Sequence, residues 1–193
     1  MRVTLASSSP RRQEILRQLG IPFEVFVPSI HEACSQFVDA RKTVMYLAGE
    51  KARSCGSPGA LVIGMDTIVV AGKTKLGKPA DASEAVGMLR LLSNRAHWVV
   101  TGVALAMDNR MVMDYERTRV YFRKLTPAEI CWYVQTGEPF DKAGAYAIQG
   151  LGGLFVRRIE GCYYNVVGFP LDCFQRALKK LGYGIFDLME DGS

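Results

Sequence analysis

Chemistry in this chain of 193 residues is signalled first by an acid set among apolar residues. Asp66, in Gly64-Met65-Asp66-Thr67, lies between two strand-like runs, 60–65 and 68–70. A buried carboxylate needs partners, and the end of a buried strand suits a metal ligand or a general base. A turn aspartate that bonds its own backbone is the plainer reading of the same spacing.

A second cluster is Ser7-Ser8-Ser9-Pro10-Arg11-Arg12. A strand that feeds a Ser-rich turn into a helix leaves backbone N–H groups and the positive dipole end facing the turn, which outlines an anion site. Two arginines in that first turn oppose the dipole, and a triphosphate would compensate them. An ordinary capped turn with two solvated arginines explains these residues equally well. Lys51 falls on the apolar stripe of a helix, where either snorkelling or an anion partner accounts for it. Lys78, in Gly77-Lys78-Pro79, reads by default as a solvated turn lysine. The stretch 138–150 mixes acid, base, aromatic and amide side chains with small residues, a composition suited to a base edge and phosphates or to a plain surface loop. Gly72-Lys73-Thr74 mimics the end of a P-loop. Thr67 stands where that motif needs its first glycine, so the likeness is rejected.

The elements that must position these residues are an alternating set. Strands are expected at Val3–Ala6 and Phe23–Val27, with a helix between them from Pro10, capped by Ser9, to Gly20. A helix follows at Thr43–Arg53, with Val44, Leu47, Ala48 and Lys51 on one stripe. Asp81 and Glu84 have capping-box spacing, as do Thr126 and Glu129. A hairpin is expected around Asp108-Asn109-Arg110. Leu154–Ile159 and Tyr163–Val167 read as strands and Leu171–Leu181 as a final amphipathic helix. The result is an α/β fold with a mixed sheet in one domain, 1–193.

The formal net charge is +5 and the pI about 9.0. That balance suits polyanionic ligands without choosing among them. The five cysteines have wide spacings and no C-x-x-C pair, which argues against a disulfide framework or a thiolate zinc site. The N-terminal stretch has no secretory pattern and no apolar run suits a bilayer. The expectation is a cytoplasmic protein with no membrane partner. No strand motif of interleaved aromatic and basic residues is evident, so no nucleic-acid partner is expected.

In this order the motifs resemble the Maf family along nearly the whole chain. They are L-A-S-S-S-P-R-R from Leu5, G-M-D-T from Gly64, G-K-P from Gly77, L-L-S-N-R-A-H-W-V-V-T-G from Leu91, E-P-F-D-K-A-G-A-Y-A-I-Q-G from Glu138 and N-V-V-G-F-P-L from Asn165. The resemblance implies an inosine triphosphatase-like fold, with an elongated mixed sheet and flanking helices forming two lobes around a cleft, often as a homodimer. It implies hydrolysis of a nucleoside triphosphate to the monophosphate and pyrophosphate, assisted by Mg²⁺ or Mn²⁺. By motif match, Asp66 is the proton acceptor and a metal ligand, Ser7, Arg12, Lys51 and Lys78 bind phosphates, and Glu32 helps place the metal.

Arg11, Thr67 and Gln149 occupy the positions that track base preference, and they resemble the branch acting on dTTP and UTP. The alternatives are the same reaction on 7-methyl-GTP or CTP, and a non-catalytic nucleotide- or nucleic-acid-binding protein. The departures from the family pattern are Met65, Ala147 and Phe169. Ala147 stands where glycine is usual and would be a problem at a positive φ.

Overall fold

A computed structural model of the chain describes residues 1–30 and 39–189. Among the described residues, thirteen strands and α-helices follow in order: β1 (Val3–Ala6), α1 (Pro10–Gln18), β2 (Glu24–Phe26), α2 (Ala40–Arg53), β3 (Leu61–Ala71), β4 (Thr74–Leu76), α3 (Ala82–Leu92), β5 (Ala96–Met107), β6 (Arg110–Phe122), α4 (Pro127–Gln135), β7 (Val156–Glu160), α5 (Tyr163–Val167) and α6 (Leu171–Leu181). The strands form one seven-stranded sheet in the order β2-β1-β3-β5-β6-β7, with β4 paired to β3. β1 runs parallel to β2 and β3, while β4 and β7 pair antiparallel with β3 and β6. The expected mixed α/β architecture is therefore present.

The chain divides into two compact units: Met1–Asp66 with Thr101–Glu116 and Gly168–Ser193, and Thr67–Val100 with Arg117–Val167. In the first unit, α2 lies against the sheet with its backbone in direct approach. A Cβ on Gly64 of β3 would fall 2.2 Å from the Ala48 carbonyl oxygen, and one on Gly102 of β5 would fall 2.3 Å from that of Val44. Only glycine lets the helix sit this low. Ala6, Ala48, Ala52, Val62 and Ala104 fill the contact with small side chains.

The second unit has its own core, in which Leu89 and Leu92 of α3 and Tyr133 of α4 are buried with Val120 and Phe122 of β6. The imidazole of His97 is 1% exposed there. Its Nε2 is 2.8 Å from the Tyr146 hydroxyl and its ring meets Phe122 edge-on. Its Nδ1 has no hydrogen-bond partner among the described residues.

Three local expectations are corrected. Asp66 is not in a turn between two strands, because β3 runs without a break through it. Tyr163–Val167 is a short helix and not a strand. Its apolar run suited either, and the buried Asn165 amide decides the matter by donating to the Val99 carbonyl and Thr118 Oγ1, each at 3.0 Å. At α3, Asp81 caps the Glu84 N–H at 2.8 Å, but Glu84 accepts from the Ala80 N–H at 2.7 Å and not from that of Asp81. The Thr126–Glu129 box closes in both directions, and α6 has the bounds expected for it.

Two stability predictions follow from these contacts. Gly102→Ala forces α2 off the sheet and should lower the unfolding free energy by about 3 kcal/mol, read from the urea midpoint. Burial also lowers the His97 pKa from 6.5 to about 4. Between those values the unfolded chain binds a proton that the folded chain does not, so stability falls as pH drops from 6.5 toward 4. The full loss is about 3 kcal/mol, and His97→Gln should flatten that limb of the stability profile.

Candidate functional site

The low seat of α2 on β3 determines what stands beside Asp66. Gly64 and Asp66 are two residues apart on a strand and share a face. Ala48 and Lys51 are three apart on a helix and share a face as well. Where the Ala48 backbone touches Gly64, Lys51 is therefore carried to Asp66. Its Nζ lies 2.5 Å from Asp66 Oδ1, and the two side chains are only 10% and 9% exposed. The ammonium balances the carboxylate where water is scarce, which is how a charged residue sits inside a strand. Of the two readings that sequence alone left open for Lys51, snorkelling or an anion partner, the structure shows the second.

The turn from β1 into α1 is built around a second cation. Arg12 is 8% exposed and Ser7 5% exposed. Arg12 Nε donates to the Gly168 carbonyl at 2.9 Å, and its Nη1 donates to the Met65 carbonyl at 2.9 Å and to Ser7 Oγ at 3.1 Å. Ser7 Oγ also accepts from the Ser9 N–H at 3.2 Å. Ser9 occupies the cap position with extended backbone but makes no side-chain cap bond. Ser7 thus holds the turn, a role that the capping signature did not reveal. Arg12 ties three distant segments together: the Ser-rich turn, the strand residue before Asp66, and the glycine ahead of α6.

Ser7, Arg12, Lys51 and Asp66 are assembled within the first unit. Arg11 is half-buried on α1, and Thr67, half-buried, follows Asp66 on β3. Lys78 and Gln149 are exposed residues of the second unit. Glu32 lies outside the described residues. Met65 is fully buried, and its backbone serves Arg12. Ala147 poses no conformational problem, since the left-handed non-glycine residue of its loop is Ala145, at φ 59°. Phe169 is fully buried edge-on to Phe174.

Gly72 and Lys73 form the turn between β3 and β4, which disposes of the P-loop likeness. Cys55, Cys131, Cys162 and Cys173 are free thiols. No described helix is long and apolar enough to cross a membrane.

Among the described residues no group of three or more His, Cys, Asp or Glu side chains could hold a metal ion. A single buried carboxylate suits a hard divalent ion that takes its remaining ligands from water and phosphate oxygens, as Mg²⁺ commonly does. Asp66 fits that donor set.

The site thus seats a lysine-balanced carboxylate in a strand of an α/β fold, next to a serine–arginine turn at a helix start. The family of the chain follows from comparison. The Maf-like protein family model matches residues 2–181, and the chain belongs to the Maf family. It is 52% identical to the dTTP/UTP pyrophosphatase of Symbiobacterium thermophilum over 94% of this chain and 95% of that one. It is 47% identical to the dTTP/UTP pyrophosphatase of Pelotomaculum thermopropionicum over 95% and 98%. Among solved structures, that of the Staphylococcus aureus Ham1 protein is similar over 63% of this chain and 72% of that chain, with a TM-score of 0.42 and 12% identity.

Removing one member of the buried pair leaves a charge without compensation. Lys51→Met should destabilise the protein by about 3 kcal/mol. Adding Asp66→Leu should recover most of that loss, because an apolar pair of similar bulk needs no compensation. Urea unfolding of the two variants measures this, and a single variant as stable as wild type would show that the pair is not electrostatically coupled.

Proposed function

We propose that this chain is a nucleotide pyrophosphatase that hydrolyses the α–β phosphoanhydride of dTTP and UTP, releasing the monophosphate and pyrophosphate. The observation that carries this reading is the Lys51–Asp66 pair at 2.5 Å. It joins two positions to which the family resemblance gives roles, in a chain whose relatives at 52% and 47% identity are dTTP/UTP pyrophosphatases.

The reaction needs an activated water, compensation of phosphate charge and in-line geometry. Asp66 supplies the base. The attacking water forms a bond to the α-phosphorus and gives a proton to the Asp66 carboxylate, while the bond from the α-phosphorus to the bridging oxygen breaks and pyrophosphate leaves. Lys51 holds the carboxylate in place and offers its ammonium to phosphate oxygens as they arrive. Ser7 binds phosphate through its hydroxyl. Arg12 contributes to the phosphate site chiefly by holding Ser7 and the Met65 backbone in register. Lys78 completes the phosphate-binding set by motif match.

Mg²⁺ or Mn²⁺ would be held by Asp66 and, by motif match, Glu32, and would neutralise charge on the phosphate oxygens. Arg11, Thr67 and Gln149 read the base, and this trio is the one expected for thymine and uracil. The two units together form one Maf-like domain, a reading supported by the family match across both. We place the enzyme in the cytoplasm as a homodimer that binds no nucleic acid.

Pyrophosphate release from a nucleotide panel, with Mg²⁺ and with Mn²⁺, tests the reading. Wild type should turn over dTTP and UTP only with metal, and Asp66→Asn should lose at least about 100-fold while staying folded. Turnover mainly of 7-methyl-GTP would overturn the base assignment and keep the reaction. No release from any nucleotide would point to a binding protein instead.

A further inference from the structure

The loop between α4 and β7 is gathered by one carboxylate. Glu138 Oε1 accepts from the Tyr133 hydroxyl at 2.9 Å and from the Gly152 N–H at 3.1 Å, and its Oε2 accepts from the Leu151 N–H at 3.1 Å. Tyr133 is fully buried, and its hydroxyl oxygen accepts in turn from the Ala147 N–H at 3.4 Å. Glu138 and Tyr133 thus hold backbone on both sides of Gln149, which is itself exposed.

The glycines around Gln149 obey the same arrangement. Gly150 has φ 97°, and a Cβ there would lie 3.0 Å from Glu138 Oε2. A Cβ on Gly152 would lie 2.6 Å from the Ala147 carbonyl oxygen and 2.7 Å from the Tyr133 hydroxyl. Three N–H or O–H donors converge on one side chain, and only a carboxylate accepts at both oxygens. A glutamine in its place turns an NH₂ toward one of the donors.

We propose that Glu138 is a positioning residue for base recognition: with Tyr133 it clamps residues 147–152 so that Gln149 is presented to the nucleobase in one conformation. The proposal rests on the base-reading role given to Gln149 above. An exposed amide on a loose loop must be ordered on each binding event, and that ordering subtracts from affinity. A clamped loop has already lost that freedom. The clamp therefore acts on nucleotide binding and base discrimination and leaves the chemistry at Asp66 alone.

The experiment combines backbone hydrogen exchange with kinetics on full-length wild type, Glu138→Gln and Tyr133→Phe. Both substitutions are close in shape to the native residue, and the second keeps the buried ring should the first fail to fold. Exchange at 147–152 should accelerate in each variant. KM for dTTP should rise about tenfold with kcat within about twofold, and preference for dTTP over CTP should shrink. Faster exchange with unchanged KM and preference would reduce Glu138 to a structural role and overturn the proposal. Unchanged exchange would show that no clamp exists. Wild type inactive on every nucleotide would instead overturn the reading of function itself, and that result is seen before any variant is made.

Discussion

A carboxylate inside a buried strand is tolerable only with a cation beside it, and much of the first unit follows from supplying one. Lys51 must come from an element that approaches β3 closely enough for a side chain to reach Asp66. α2 does so because Gly64 and Gly102 carry no Cβ where the helix backbone passes. The small residues at the contact, Ala48 and Ala52 on the helix and Ala6 and Ala104 on the sheet, belong to the same constraint. Packing and electrostatics are thus one problem here. A helix seated higher would leave Asp66 without its ammonium, and an apolar residue at 66 would leave a buried lysine in the same difficulty.

The two buried cations of this unit serve different ends. Arg12 spends its fork on two backbone carbonyls and a serine hydroxyl from three segments of the chain. A planar guanidinium is suited to such fixed, multi-point bonding. Lys51 presents a compact charge to one carboxylate oxygen, and a point charge on a flexible stem can follow an arriving phosphate with little rearrangement. The arginine makes the frame and the lysine makes the buried pair. That division explains why Arg12, next to a helix start, is compatible with its dipole: it is already compensated by the protein's own acceptors.

Local signals made much of the fold legible. Turn residues marked the hairpin at Asp108 and Asn109, and the amphipathic pattern over Leu171–Leu181 bounded α6. The failures have physical causes. Asp66 looked like a turn residue because an isolated charge disfavours a strand interior, and the cation that reverses this preference lies fifteen residues away on another element. Tyr163–Val167 looked extended because its apolar pattern is silent about the tertiary bonds of the Asn165 amide. Ser7 was legible as a polar turn residue, but its bond to Arg12 depends on where β3 and Gly168 run. The family resemblance named Asp66, Lys51, Ser7 and Arg12. It did not say that the first two form a buried pair or that Arg12 is tied to backbone.

We propose that the phosphates and the metal meet the protein at the Lys51–Asp66 pair. A crystal structure of the full chain with a non-hydrolysable dTTP analogue and Mn²⁺ tests it most directly. Metal density is expected on the Asp66 carboxylate, with triphosphate oxygens in contact with Lys51 and Ser7. An analogue bound elsewhere, with the pair undisturbed and no metal at Asp66, would contradict it.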